Sequence, residues 1–257
     1  MKNRFTARRN RVVLAVMAAV ATHATQAAHA QDQDLPDAAA VIARYQEAVG
    51  GVQALAGYSS MRAVGELAMP AQGLSASMQT FAARPNRSAM IISIDGFGEI
   101  RTGVVGDTAW SMNPMEGPRL LQGAELTQTV EESAFESSLR PSAMISSATT
   151  VERTTLAGRP CLKVRLEWQS GRESFDCYSE ETGLLVGTTA VQETNMGRIE
   201  AVTLLDDYRD FGGLRTPTRI TIQTMGVEQI ITIREVAFND VDDDAFALPS
   251  QIRALIR

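Results

Sequence analysis

Residues 218–238 read Thr218-Arg-Ile-Thr-Ile-Gln-Thr-Met-Gly-Val-Glu-Gln-Ile-Ile-Thr-Ile-Arg-Glu-Val-Ala-Phe238. Apolar and polar side chains alternate on both sides of Met225-Gly226, the period-2 pattern of two strands joined by a tight turn. A turn there sets Ile220 and Ile222 opposite odd-numbered partners, and Ile231 and Ile233 are odd, so one face of the hairpin stays apolar along its length. Such a face has to be covered by something.

Upstream, the same alternation recurs at 60–69, 74–83, 87–94, 99–105, 108–112, 151–155, 160–168, 173–178, 184–192 and 199–205. The breaks between neighbours hold glycine and proline and are mostly too short for parallel crossovers, so the strands run as an antiparallel meander. Two stretches have the helical period instead. Pro36-Asp37 opens residues 36–56, where Val41, Ile42, Tyr45 and Val49 share a face before Gly50-Gly51, and a second short turn follows. Residues 125–139 place Leu126, Val130 and Phe135 on one side and end at Pro141. The expected fold is α+β: a curved antiparallel sheet of eleven or twelve strands, a half-barrel, with helices covering its concave face. No linker or repeat divides the chain, so a single domain is assigned to 37–249, after a short leader at 31–36 and before a C-terminal tail at 250–257.

Ahead of the leader, Lys2, Arg4, Arg8, Arg9 and Arg11 precede the apolar run Val12 to Ala21, and Ala28-His29-Ala30 supplies small residues before Gln31. This reads as a secretory signal peptide spanning residues 1–30, since a bilayer span needs ~20 apolar residues. Its removal leaves 19 basic against 30 acidic side chains, a net charge of −11 over 227 residues. Nucleic acid is an unsuitable partner for such a surface. Both histidines, His23 and His29, leave with the signal, which excludes Ser-His and Cys-His nucleophile pairs and removes a common metal ligand. Lys163 is the only lysine left, and it lies within a strand pattern. No enzymatic chemistry, metal or cofactor is expected.

Cys161 and Cys177 are the only cysteines, on consecutive strands of a chain bound for an oxidising compartment. A two-residue turn at Ser170-Gly171 keeps Leu162, Val164, Leu166 and Trp168 in phase with Phe175 and Cys177, which puts Cys161 on the other face. A bulge near Gly171 restores the pairing, and the sequence leaves both arrangements open. Asp240, Asp242 and Asp244 have the spacing of a calcium loop, but Ala245 and Gln251 stand where that loop needs glycine and glutamate. Nine methionines remain after processing, most on or beside predicted strands, where flexible thioethers suit either core filling or an apolar ligand surface.

Arg84-Pro85-Asn86, followed by Gly106-Asp107-Thr108-Ala109-Trp110-Ser111-Met112-Asn113-Pro114, resembles the outer-membrane lipoprotein carrier (LolA-like) superfamily. There an Arg-Pro-Asn stretch ends one strand and a Gly-x-Thr-x-Trp-x-x-Asn-Pro stretch follows. Thr182-Gly183-Leu184-Leu185, Tyr208 to Pro217 and the terminator Phe246-Ala247-Leu248-Pro249 agree in order. The resemblance implies a monomeric, non-catalytic periplasmic protein that sorts lipoproteins or carries lipid, with acyl chains held on the concave face. Its partners are then an acylated lipoprotein or lipid. The alternative is an envelope-stress regulatory module that binds a membrane protein's periplasmic domain. Arg84 matches the arginine that tethers the lid, and Met78, Ile92, Trp110 and Met112 are assigned with it to the lipid site. The carrier has an aromatic four residues after that arginine, and here the place is Ser88.

Overall fold

The structure is a computed structural model that describes residues 35–256. The signal peptide expected at 1–30 and most of the expected leader lie outside the described residues. Four helices, α1 (Ala38–Ala48), α2 (Gly51–Ala56), α3 (Gly123–Ser133) and α4 (Ser250–Arg253), accompany one sheet. Its strands are β1 (Ser60–Met69), β2 (Leu74–Ala83), β3 (Arg87–Ile94), β4 (Gly98–Val105), β5 (Thr108–Asn113), β6 (Gly117–Leu120) and β7 (Ile145–Leu156). β8 (Arg159–Trp168), β9 (Glu173–Tyr178), β10 (Leu185–Thr194), β11 (Gly197–Phe211), β12 (Leu214–Thr224) and β13 (Val227–Phe238) complete it. All pairs are antiparallel, in the order β6-β5-β4-β3-β2-β1-β13-β12-β11-β10-β9-β8-β7. Among the described residues no helix is long and apolar enough to cross a membrane.

The sheet has 13 strands, against the eleven or twelve read from sequence. The additional one, β6, contains Pro118 and so resembles a loop in sequence. Proline is tolerated there because β6 is an edge strand. The β12–β13 hairpin has the register its alternation dictates, Ile220 facing Ile231 across the turn.

Curvature follows from the reach of α3. It contacts β4 and β5 on one side and β10 on the other. In a flat sheet β5 and β10 would stand about 38 Å apart at ~4.8 Å per strand, whereas α3, with 11 residues, is about 16 Å long. Only a curled sheet lets one short helix touch both. Its inner face carries Leu162, Val164, Leu166 and Trp168 of β8, against which Val41, Ile42 and Tyr45 of α1, Leu55 of α2, and Phe135 and Leu139 pack as the main core. Leu126 and Val130 of α3 pack on Val104, Ala109 and Leu121.

The second helical stretch breaks where the sequence predicts continuity. α3 stops at Ser133, Ala134 is extended, and a 3-10 turn at Ser137–Leu139 follows. Serine hydroxyls compete for the backbone here: Ser133 donates to the Val130 carbonyl and Ser137 to the Glu132 carbonyl. The outer face of β2–β4 is covered by the chain after β13, with Phe246 on Ala83 and Ala89. Ile252 of α4 is fully buried, so the folded body runs into what the sequence suggested was a tail.

The β8–β9 connection decides which side chains of β9 face inward. Trp168 N–H donates to the Arg172 carbonyl, so the loop is the three residues Gln169-Ser170-Gly171, with Gly171 at φ 81°. The strands then pair Leu162 with Tyr178, Val164 with Asp176 and Leu166 with Ser174. This is one residue away from the two-residue turn, and a one-residue slip exchanges the faces of a strand. Ser174, Asp176 and Tyr178 therefore point into the core, and Cys177 joins Cys161 on the outer face. The two cysteines are disulfide-bonded, their Cα atoms 5.5 Å apart, and pack with Val186 and Leu156.

Candidate functional site

Between the inner face and its helical covers lies a cavity of about 460 Å³. Met61, Ala82 and Phe238 form part of the sheet side, and Leu55, Phe135 and Leu139 part of the cover. Its size is in the roughly 300–1,000 Å³ range of small-molecule sites, and its lining has their mixture of apolar walls with a few polar groups. Ser88 belongs to the wall. An aromatic side chain at this inward-facing position would occupy space that the serine leaves open.

The roof of the cavity is the segment 134–140, held from several directions. Tyr45 and Gln46 of α1 donate to the carbonyls of Ser138 and Leu139, at 3.0 and 2.9 Å. At one end Arg84, in the β2–β3 turn, donates from Nε to the Tyr58 carbonyl at 2.8 Å and from Nη2 to the Leu55 carbonyl at 3.2 Å. The same guanidinium pairs with Glu136 and lies 4.9 Å from the centroid of the Phe135 ring. One side chain thus joins the end of α2 to the roof. Arg84 gathers these four partners while about a third of its own side-chain surface stays exposed.

The other end of the roof is anchored in a buried polar centre. Arg140 Nε donates to Asp176 Oδ2 at 2.8 Å, and the Tyr178 hydroxyl donates to the same oxygen at 2.9 Å. Asp176 is fully buried. Two guanidiniums lie over the Trp168 ring, those of Arg140 at 5.5 Å and Arg172 at 4.3 Å from its centroid, and its indole N–H donates to Ser174 Oγ. Arg172 is held by Glu131 of α3. Burial raises the Tyr178 hydroxyl well above its ordinary value, with the Asp176 charge adding to it. Burial alone would lower Arg140, but the Asp176 charge and the neighbouring phenols outweigh it and raise it, so this guanidinium stays charged. Asp176 Oδ1, however, accepts no hydrogen bond from the described residues. A buried acceptor in that condition costs about 1–3 kcal/mol.

A second cavity, about 190 Å³, is walled by Arg140, Arg172, Asp176, Thr188 and Gln192 among others. Glu132 and Ser137 line both cavities, so the polar one adjoins the apolar one beneath the roof.

The residues assigned to the lipid site from sequence divide between the two faces of the sheet. Met78 and Ile92 are directly paired on the inner face and pack with Leu67 and Ala76. They lie beyond the wall of the larger cavity, Met78 two residues before its wall residue Thr80. Trp110 and Met112 alternate with Ala109, which faces α3, and so point outward. Trp110 is buried there against Gly103, where an added Cβ would come within 2.7 Å of the indole. Trp168, on the inner face, is the indole beside the site. Met115 and Met225 sit exposed at hairpin tips. Among the described residues no group of acidic, cysteine or histidine side chains is placed to hold a metal ion.

No protein-family model matches the sequence, and no curated protein does. Solved structures match it in fold. A LolA superfamily protein from Nitrosomonas europaea is similar with a TM-score of 0.55 at 11% identity, over 83% of this chain and 99% of that one. A DUF1329 family protein from Desulfovibrio piger gives 0.58 at 11% identity, over 83% and 98%. A domain from Vibrio parahaemolyticus described as a putative outer membrane lipoprotein-sorting protein gives 0.53 at 11% identity, over 82% and 97%. The chain has the fold of the LolA superfamily.

Proposed function

We propose that this protein is exported to the periplasm through cleavage after Ala30, and that it carries lipid or the acyl chains of a lipoprotein, without covalent chemistry. The observation that carries this reading is the cavity of about 460 Å³, roofed by residues 134–140 and closed at one end by Arg84. The fold it shares with a domain described as lipoprotein-sorting supports the same reading. An acyl chain is the matching occupant because each buried methylene contributes about 0.8 kcal/mol, so affinity grows with chain length until the cavity is filled.

The test is native mass spectrometry of protein purified from its own periplasm, followed by melting curves after delipidation. We expect an added mass that organic solvent removes. Long-chain acyl ligands should restore thermal stability by mass action, about 2.7 kcal/mol at a hundredfold excess over Kd. Short-chain acids should not, since they bury too little to offset the entropy of association. An unliganded native protein whose melting is indifferent to chain length would overturn the reading.

A further inference from the structure

We infer that the smaller cavity is a head-group subsite for the ligand of the larger one, and that it selects a neutral, hydrogen-bond-donating head such as a hydroxyl or an amide. This rests on the acyl-carrier reading and adds to it the chemistry of the ligand's other end. Glu132 and Ser137 line both cavities, so the head of an amphiphile with its chain against Phe135 and Leu139 is placed beside Asp176, Thr188 and Gln192.

The choice of head follows from which groups are already engaged. Arg140 is committed to Asp176, and Arg172 to Glu131 and Glu132, so neither guanidinium is free to neutralise an added anion. A carboxylate or phosphate head would also have to approach Asp176, which is fully buried, and Glu132, both carboxylates of the wall. A cationic head would meet the two arginines. What the wall offers is an acceptor: Asp176 Oδ1 has no donor within the described protein, whereas its companion oxygen receives two. Specificity built on a buried acceptor of this kind is strong, because a ligand without the matching donor leaves that acceptor unpaired.

The experiment compares a monoacylglycerol, a fatty acid and an alkyltrimethylammonium of equal chain length for displacement of a fluorescent acyl probe from the delipidated full chain. The monoacylglycerol should bind at least about tenfold more tightly than either charged ligand, a difference of about 1.4 kcal/mol. Asp176→Asn should reduce that preference, but it also disturbs the Arg140 pair and could fail to fold. Ala190→Leu, which fills the smaller cavity from β10, and Thr188→Val, which removes a wall hydroxyl, leave the pair intact. Both should melt near wild type while the head-group preference, read with the same probe, falls several-fold. Equal affinity for the three ligands, or a preference unchanged in both cavity variants, would show a cavity that holds water only and would overturn the subsite. Failure of the probe itself to bind would instead refute the acyl-carrier reading on which it rests.

Discussion

Two arginine–carboxylate pairs hold the same short segment, residues 134–140, at its two ends, and they differ in what surrounds them. Arg84 and Glu136 are each about one third exposed, and Arg84 is drawn from a surface turn. Arg140 and Asp176 are 14% and 1% exposed, and their partners are core side chains. An exposed pair is screened and contributes little, whereas breaking a buried one strands a charge in a low dielectric. A roof pinned firmly at one end and lightly at the other has an end from which to open. On the proposed acyl-carrier reading, the Arg84 end is therefore where the chain should enter.

The largest effect expected is from Arg140→Met. It leaves Asp176 with only the Tyr178 hydroxyl, and should lower stability by about 3–5 kcal/mol, read from the urea midpoint. Replacing Asp176 by Leu in the same chain should recover much of that loss. A loss as small as that of an exposed pair would erase the distinction between the two ends.

An effect smaller per residue is expected from alkali. Burial raises the hydroxyls of Tyr45, Tyr178 and Tyr208 above their ordinary value near 10, with the Asp176 charge acting in the same direction on each. The folded state then retains phenolic protons that the unfolded chain releases. Their contribution is complete below about pH 10 and is lost as pH rises from there through the folded values, by up to about 1.4 kcal/mol per tyrosine per pH unit. Denaturant midpoints across this range test the slope, and phenolate absorbance should appear for these three only as the protein unfolds. Reversible ionisation of all three in the native state near pH 10 would mean that the buried end is open to water.

What could be read from sequence follows from where alternation is strong. The β12–β13 hairpin, with isoleucines on one face, determined its own register, and the twelve segments with clear alternation are all strands in the structure. β6 was hidden by Pro118, and the start of β7 by a run of serine and threonine; both are edge strands, where less of the chain is buried and the pattern weakens. The polar centre was hidden for a different reason. With a two-residue turn, Ser174, Asp176 and Tyr178 read as an outer face, and one additional loop residue turns them inward. The available signal was Cys161: placing both cysteines on one face already demanded that extra residue, and the same shift carries Asp176 into the core. Trp110 came to the lipid site through the resemblance, and the structure buries it on the outer face over Gly103; alternation could not place it, because its strand has apolar residues on both sides, Ala109 beneath α3 and Trp110 opposite.

The smallest change in stability, and the most direct probe of the lightly held end, is expected from Arg84→Leu. The guanidinium is partly exposed, so its loss should lower stability by only ~1 kcal/mol, about 2–4 °C in a chain of this size. Its effect on exchange should be larger, because it alone links the Leu55 and Tyr58 carbonyls of the α2 end to Glu136 and Phe135 of the roof. Release of a bound fluorescent acyl chain should be several-fold faster than wild type, while Arg140→Met should change release mainly by unfolding the protein. Glu136→Gln should act in the same direction, and the double variant should add little to either single one, since the two residues share one contact. If Arg84→Leu lost several kcal/mol of stability with release unchanged, Arg84 would be a structural fastener like Arg140, and the roof would have no preferred end from which to open.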